Sequence, residues 1–252
     1  MRPTVWSYGG GVQSVAIAVL VIQGKLPRPD VVVIADTGRE TQATWDYLDQ
    51  HIRPLLAPLE VHVVSHEAAR VDLYSSSGKL LIPAYAKTPS GREARLPTYC
   101  SSEWKRDPIS RWLRSRGYGP KAPVRIWLGI STDELGRVKP SRVKWMEHHY
   151  PLLLDVPTSR ADSLLLVEKA GLPRPPRSAC WMCPHHSDQE WRIIRDERPD
   201  EWAKAQAFEQ QIQEREGRFY LHRSMVPLDE VELDEAPGLW DQDGCSTGYC
   251  FT

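Results

Sequence analysis

Residues 4–14 read Thr4-Val5-Trp6-Ser7-Tyr8-Gly9-Gly10-Gly11-Val12-Gln13-Ser14. A short apolar run predicts a strand, three glycines follow it, and a helical sequence begins directly afterwards. Glycines permit positive φ and close approach to the backbone, while the amino end of a helix offers unpaired N–H groups to an anion. The stretch therefore predicts a phosphate site, although such a turn can also be merely tight.

Beyond this stretch, apolar β-rich runs continue to alternate with helical periodicity. We predict strands at 4–7, 30–35, 60–65 and 124–130, and helices at 12–23, 40–56, 102–116, 159–170, 188–195 and 199–216. This alternation predicts an α/β fold with a doubly wound, mostly parallel sheet, helices on both faces and a small helical C-terminal region. We expect domains at 1–175 and 176–252. The proline- and glycine-containing segment 75–97 reads as a long mobile loop that could cover the site.

Ligands of such sheets gather at the carboxyl ends of the strands. In this sequence those ends carry polar loops at 7–14, 36–38, 65–66 and 131–134. We expect these four loops to form one site. Asp36 or Thr37 could instead cap the helix that follows.

Composition points to an ordinary globular chain. It has 252 residues, 41% of them hydrophobic, a formal net charge of -1 and five cysteines. No apolar run is long enough to span a bilayer, so we expect a cytoplasmic protein without a membrane partner. Residues 79–121 carry ten Lys and Arg against three acids, and Arg137, Lys139, Arg142 and Lys144 extend the excess. This asymmetry suits an anionic substrate or a solvated face.

The cysteines suggest a metal centre. Cys180 and Cys183 are separated by two residues, so their thiolates can chelate one metal from a single turn, and Cys100 is a third soft ligand. An iron–sulfur cluster or zinc is expected. The fourth position could be Cys245, Cys250, one of the adjacent histidines His185 and His186, or an exogenous ligand. The pair could also be two buried structural thiols.

Five motifs follow one another along the chain: 7–14, Asp-Thr-Gly-x-Glu at 36–40, Cys-x4-Lys-x2-Pro at 100–108, Gly-Ile-Ser-Thr-Asp-Glu at 129–134, and the late Cys-x2-Cys-Pro at 180–184. In this order they resemble the PP-loop adenine-nucleotide superfamily, and within it the phosphoadenosine phosphosulfate reductase-like branch. The resemblance covers roughly residues 4–190.

The resemblance implies a doubly wound domain that holds ATP or a related adenine nucleotide with Mg²⁺, beside a [4Fe–4S] cluster. The implied nucleotide-binding residues are Ser7, Tyr8, Gly9, Gly10, Gly11, Gln13, Ser14, Asp36, Thr37, Gly38, Glu40, Ser131 and Glu134. The implied metal ligands are Cys100, Cys180, Cys183 and Cys245, with zinc as the alternative metal. Lys105, Arg137 and Cys245 are the expected catalytic residues.

The chain departs from the family at three places. Val12 and Gln13 stand where ATP-cleaving members carry Lys and Asp, so a catalytic cation must come from elsewhere, with Lys105 as the first choice. Ser101 stands where iron–sulfur reductases have a second cysteine. Ser131 replaces an arginine, and Arg137 could supply the lost anion contact.

Three functions remain open from the sequence. The first is ATP-dependent adenylation followed by sulfur or group transfer to a nucleic-acid base or small molecule. The second is reduction of a sulfonucleotide by a tail cysteine with a thioredoxin-like reductant, and the third is a non-catalytic nucleotide-binding module with structural zinc. A sulfur donor, a nucleic-acid substrate and a homodimer are compatible partners of the leading function.

Overall fold

The computed structural model describes residues 2–65, 73–87, 91–217 and 219–234. These residues fall into two compact units. The first unit comprises 2–65 and 101–178, and the second comprises 73–87, 91–100, 179–217 and 219–234. The units differ from the domains 1–175 and 176–252 expected from the sequence, because the segment 73–100 belongs to the unit that contains the later cysteine pair.

The first unit is built on a parallel five-stranded sheet. Its strands are β1 (Thr4–Ser7), β2 (Val31–Asp36), β3 (Val61–Ser65), β6 (Val124–Leu128) and β7 (Met146–His149), in the order β3-β2-β1-β6-β7. Every pairing in this sheet is parallel. The α/β, doubly wound fold expected from the sequence is confirmed, and its strand order reverses between β1 and β6.

Helices cover both faces of this sheet. They are α1 (Val12–Ile22), α2 (Gln42–Tyr47), α3 (Arg53–Leu56), α4 (Asp107–Ser115), α5 (Pro151–Leu154) and α6 (Arg160–Lys169). π-helical turns at Leu48–Ile52 and Ser102–Arg106 and a 3-10 helix at Thr132–Arg137 join them. Successive residues of β1 point to opposite cores, since Trp6 packs with α1 and α6 residues while Val5 packs with Ile109 and Leu113 of α4.

The second unit contains a three-stranded antiparallel sheet and two helices. Strands β4 (Tyr85–Lys87), β5 (Glu93–Arg95) and β8 (Phe219–Tyr220) lie in the order β5-β4-β8. Helices α7 (Asp188–Glu197) and α8 (Pro199–Glu216) follow the cysteine pair. The prediction of an unstructured loop at 75–97 was wrong, because β4 and β5 form a hairpin there and Leu80, Leu81 and Ile82 are buried.

Two further differences concern single elements. β7 was not predicted, because Met146-Glu147-His148-His149 lacks the β-branched residues that mark a strand. The expected helix 40–56 begins at Gln42 and is interrupted by the π-helical turn, so Asp36 and Thr37 do not cap it. No helix in the described ranges is both long and apolar enough to cross a membrane.

Candidate functional site

The glycine turn connects β1 to α1 at the point where the strand order reverses. Gly10 has a φ of +79°, and a Cβ placed on it would lie 2.9 Å from Thr44 Cγ2 and 3.2 Å from Ser178 Oγ. Gly11 precedes α1, and no side chain caps this helix. Only glycine therefore fits at position 10, and the amino end of an eleven-residue helix is left for a ligand.

Two serines shape the inside of this turn. Ser14 Oγ accepts a hydrogen bond of 2.9 Å from Gly9 N, which closes the turn back onto the first helical residues. Ser7 Oγ is buried and has no hydrogen-bond partner among the described residues. The Ser14 hydroxyl, at the start of α1, can donate to an anion seated at the amino end of that helix.

Gln13 joins the glycine turn to the loop after β6. Its Nε2 donates to Glu134 Oε2 at 3.1 Å and to Ser131 Oγ at 3.4 Å. Ser131 is fully buried and forms a reciprocal capping box with Glu134. Gln13 thus acts as a bridge between the two loops.

Arg137 also binds Glu134, by an ion pair between its Nη1 and Oε1 of the carboxylate. The Glu134 carboxylate therefore accepts from Gln13, Ser131 and Arg137 together. The ion pair with Glu134 therefore holds the Arg137 side chain beside the loop that follows β6. Its catalytic role stays a prediction.

A narrow cleft with a volume of about 10 Å³ lies at the carboxyl ends of β1 and β2. It is lined by Tyr8, Gly9, Ile34, Ala35, Glu40, Lys105 and Ser178. Glu40 Oε1 forms a 3.0 Å ion pair with Lys105 Nζ, and the two side chains are only 3% and 14% exposed. Glu40 Oε2 is buried without a hydrogen-bond partner in the described part of the chain. An unpaired buried carboxylate oxygen is costly, so a donor from a ligand would stabilise it.

The loop after β2 adds a second cation near Glu40. Asp36 Oδ1 accepts from Gly38 N at 2.7 Å, and Gly38 has a φ of +68°. The next residue, Arg39, is buried, and its guanidinium carbon lies 4.6 Å from the centre of the Trp104 ring. Arg39, Trp104 and Ser178 were missed from the sequence. Arg39 occupies the variable position of the Asp-Thr-Gly-x-Glu motif, so its place in the motif was the available signal.

The tyrosines of this region are proton donors rather than bases. Burial raises the pKa of the Tyr8 hydroxyl far above its ordinary value, with a smaller contribution from the charge of Tyr47. Burial also raises the pKa of Tyr47 to about 12, and its hydroxyl donates to the Pro173 carbonyl at 2.8 Å. Both hydroxyl groups stay protonated at neutral pH.

The structure brings together most of the nucleotide-binding residues that the resemblance implies. The turn at 7–14, the loop at 36–40, Lys105 and the loop at 131–134 all belong to the first unit and meet around the carboxyl ends of β1, β2 and β6. Ser65 ends β3 beside Asp36, and His66 lies outside the described residues. Binding roles for these residues remain predictions.

The three described cysteines all lie in the second unit. Cys183 N donates to the Cys180 carbonyl at 2.9 Å, which forms the tight turn expected for the pair. Cys100 N donates to the Leu81 carbonyl at 2.8 Å. His186 uses Nε2 on the Cys180 carbonyl at 2.9 Å, so this imidazole nitrogen contacts the turn rather than a thiol.

These thiols do not by themselves make a metal site. Across the described ranges no group of three or more His, Cys, Asp or Glu side chains is arranged to hold a metal ion. This finding covers Cys100, Cys180 and Cys183. Cys245, expected as a ligand and as a catalytic residue, lies outside the described residues, as does Cys250. We therefore derive no reaction step through a metal.

No protein-family model and no curated protein matches this chain. Among the solved structures that are similar to it are two enzymes. One is a phosphoadenylyl-sulfate (PAPS) reductase from Candida auris in a phosphate complex, with a TM-score of 0.47 and 11% identity over 72% of this chain and 82% of that chain. The other is the U34-tRNA thiolase NcsA from Methanococcus maripaludis with its [4Fe-4S] cluster, with a TM-score of 0.41 and 14% identity over 86% of this chain and 74% of that chain.

Both TM-scores lie below 0.5, and both identities lie below 25%.

Proposed function

We propose that the first unit binds an adenine nucleotide and that the protein uses ATP to activate an acceptor for transfer of sulfur or another group. The main support for this proposal is the environment of the Glu40 carboxylate. One of its oxygens is held by Lys105 and the other is buried without a partner in the described residues, in a cleft with Tyr8 and Gly9. A ribose hydroxyl or an exocyclic amino group would satisfy the unpaired oxygen.

The phosphates are expected at the amino end of α1. Backbone N–H groups of the first turn and the hydroxyls of Ser7 and Ser14 would donate to them, and the helix dipole favours their negative charge. The glycine at position 10 lets the chain turn tightly enough to expose these groups. Adenine is chosen over other bases because of the resemblance to the PP-loop superfamily.

Lys105 would supply the cation that the glycine turn lacks at Val12. Glu40 holds its ammonium group at the cleft, so the charge is already in place when the nucleotide arrives. Arg39, stacked on Trp104, adds a second fixed positive charge in the loop that contains Glu40. Positioned cations favour a phosphoryl-transfer reaction because negative charge moves onto the departing phosphates.

In the reaction, an acceptor oxygen attacks the α-phosphorus of ATP and loses its proton to solvent. The bond from the α-phosphorus to its bridging oxygen breaks, and pyrophosphate leaves. A sulfur nucleophile from a donor then attacks the acceptor carbon that bears the adenylated oxygen, and AMP leaves. Metal assistance, by Mg²⁺ or a cysteine-bound cluster, is proposed only by the resemblance and enters no step here.

The experiment that tests this function is product analysis with ATP labelled at the α-phosphate. Purified protein is incubated with sulfide as the donor and with RNA, DNA or small-molecule acceptors, and AMP and pyrophosphate are quantified. We expect both products to depend on an acceptor. Lys105→Gln should lower the rate by about 100-fold, since removal of a single positioned charge in a site of this type costs that much.

Lys121→Gln is the matched control, because Lys121 is an exposed lysine of the same unit outside the cleft. An equal loss in both variants would contradict the role of Lys105. Release of sulfite from a sulfonucleotide with a thioredoxin-like reductant would select the reductase function instead. Nucleotide binding without any product would select the non-catalytic module.

A further inference from the structure

A second concave surface lies in the first unit, along the outer edge of its sheet. The connection between β6 and β7 folds back beside β7, the edge strand of the sheet, and leaves a cavity of about 450 Å³. Four aliphatic or proline side chains of its wall are Val138, Pro140, Val143 and Met146. We call this surface the β7 groove.

The β7 groove is lined by three basic residues and one acidic residue, Glu147, and Arg142 lies beside it in the same connection. Lys139, Arg142 and Lys144 lie within the connection, which has no acidic residue between Val138 and Trp145. Lys139 and Lys144 line the cavity, and Arg142 and Lys144 are exposed. Arg2 lines it from the amino end of β1, where it pairs with Glu147.

The backbone of the groove is held in place by the buried Tyr150 and the half-buried His148. Tyr150 Oη donates to the Lys139 carbonyl at 2.7 Å and accepts from Lys139 N at 3.2 Å. His148 Nδ1 lies 3.0 Å from the same carbonyl. These contacts fix the start of the connection against β7, so the cations project from a formed surface.

Helix α4 extends the positive surface next to the groove. The guanidinium of Arg114 lies 5.6 Å from the ring centre of Trp145, and that of Arg116 lies 4.7 Å from Trp112. Both arginines are exposed. Arginines stacked on aromatic rings keep their planar donor groups oriented towards solvent, which suits the oxygens of phosphates.

We propose that the β7 groove and the adjoining face of α4 bind the sugar–phosphate backbone of a single-stranded nucleic acid. Proteins that bind single-stranded nucleic acids commonly do so in a positively charged groove along which the sugar–phosphate backbone runs. An anionic membrane fits less well, because the cations line a concave groove rather than the flank of an amphipathic helix. Small anions would not need cations spread from the connection to α4.

The path of the connection between β6 and β7 indicates where one end of a bound nucleic-acid strand would lie. Because β6 and β7 are parallel, the connection runs from the carboxyl edge of the sheet to its amino edge. Its 3-10 helix ends at Arg137, whose partner Glu134 is bound by Gln13 of the glycine turn. A strand in the groove would therefore end near the candidate nucleotide site and could present its base as the acceptor. This last role rests on the proposed function, whereas binding in the groove does not.

The test is fluorescence anisotropy with a labelled single-stranded RNA of about 20 nucleotides, its DNA counterpart and the corresponding duplex, at several salt concentrations. We expect the full chain to bind the single strands, with affinity falling as salt rises. The double variant Arg142→Glu/Lys144→Glu should weaken binding at least tenfold. It should also lower the slope of log affinity against log salt by about 1.4, or ~0.7 for each lost phosphate contact.

Lys25→Glu/Lys169→Glu is the matched control. Both lysines are exposed, and they follow α1 and end α6, which pack on the opposite face of the sheet from α4. Equal weakening in the two double variants, tighter binding of anionic vesicles or polyglutamate than of the single strand, or no binding at low salt would each overturn the proposal. If RNA binds but ATP is not turned over, the proposed function is rejected, whereas the proposal that the β7 groove binds nucleic acid is supported.

Discussion

Lys105 Nζ lies 3.0 Å from Glu40 Oε1, and this ion pair joins the π-helical turn before α4 to the loop after β2. Both residues belong to motifs that the sequence singled out, but no spacing along the chain could show that they meet. The pair fixes a cation at the cleft while it leaves Glu40 Oε2 buried and without a partner in the described residues. It is the structural centre of the proposed nucleotide site.

The first prediction concerns the energy of this pair. Lys105→Gln leaves the Glu40 carboxylate buried and unpaired, and we expect the free energy of unfolding to fall by about 3 kcal/mol. Glu40→Gln in the same chain should restore most of that stability, because the neutral double variant buries no lone charge. Urea denaturation of the wild type, both single variants and the double variant measures the coupling. Strictly additive losses would show that the two side chains do not interact.

Gly10 gives the second prediction. Gly10→Ala should destabilise the protein by about 2 kcal/mol and weaken nucleotide binding, since it combines a positive φ with a clash against Thr44 Cγ2. Gly24→Ala is the matched control, because Gly24 has a φ of +71° with nothing within 4 Å of the added Cβ. It should lose about 1 kcal/mol, from the backbone alone.

Thr44→Ser removes the clashing methyl group and keeps the hydroxyl that lies 3.2 Å from Thr41 Oγ1. Combined with Gly10→Ala, it should recover part of the lost stability in thermal unfolding. An identical loss at positions 10 and 24, with no recovery by Thr44→Ser, would mean that the close approach at Gly10 is unimportant.

The third prediction is a pH dependence in the second unit. Burial lowers the pKa of His222 below its ordinary 6.5, even though its partner Asp188, 3.3 Å away, and Asp234 favour the charged form. Arg223 opposes protonation. Because the unfolded chain binds the proton more readily, stability should fall as pH decreases below about 6.5, with a slope of at most ~1.4 kcal/mol per pH unit.

His222→Gln removes this titration. The difference in unfolding free energy between wild type and variant, measured by urea denaturation from pH 8 to about 5, isolates the contribution of His222 from that of other histidines. We expect the wild type to lose its advantage as the pH falls. A difference that stays constant, or grows on acidification, would refute the assignment.

Metal content provides the fourth prediction. If the cysteines act as the sequence predicts, protein purified without oxygen contains iron and sulfide, and Cys183→Ser loses both while Cys250→Ser keeps them. Visible absorption together with iron, sulfide and zinc analysis checks this. A colourless protein with stoichiometric zinc and no iron would contradict the cluster, and full iron in Cys183→Ser would contradict the ligand.

The sequence predicted the parts of the fold whose signals are local. The run from Thr4 to Ile22 contains a strand, a glycine turn and a helix, and the structure forms all three where expected. β7 and the hairpin of β4 and β5 were missed because their side chains carry no alternating apolar pattern, and their strand form depends on neighbours distant in sequence.

The sequence predicted which residues belong to the candidate site, but not which of their side chains contact each other. The motif residues Glu40, Lys105, Gln13 and Glu134 were all identified, yet which of them contact each other depends on the order of strands in the sheet. Arg39 on Trp104 was missed for the same reason, since a cation in a loop and an aromatic ring in a distant helical turn leave no periodic signal.

The central claim is that the cleft at the carboxyl ends of β1 and β2 binds an adenine nucleotide through the glycine turn and Lys105. Isothermal titration calorimetry with ATP tests it most directly, on the wild type, Lys105→Gln and Lys121→Gln. We predict saturable binding to the wild type and Lys121→Gln, and at least tenfold weaker binding to Lys105→Gln, or about 1.4 kcal/mol. No binding to the wild type, or equal affinity in all three proteins, would contradict the claim.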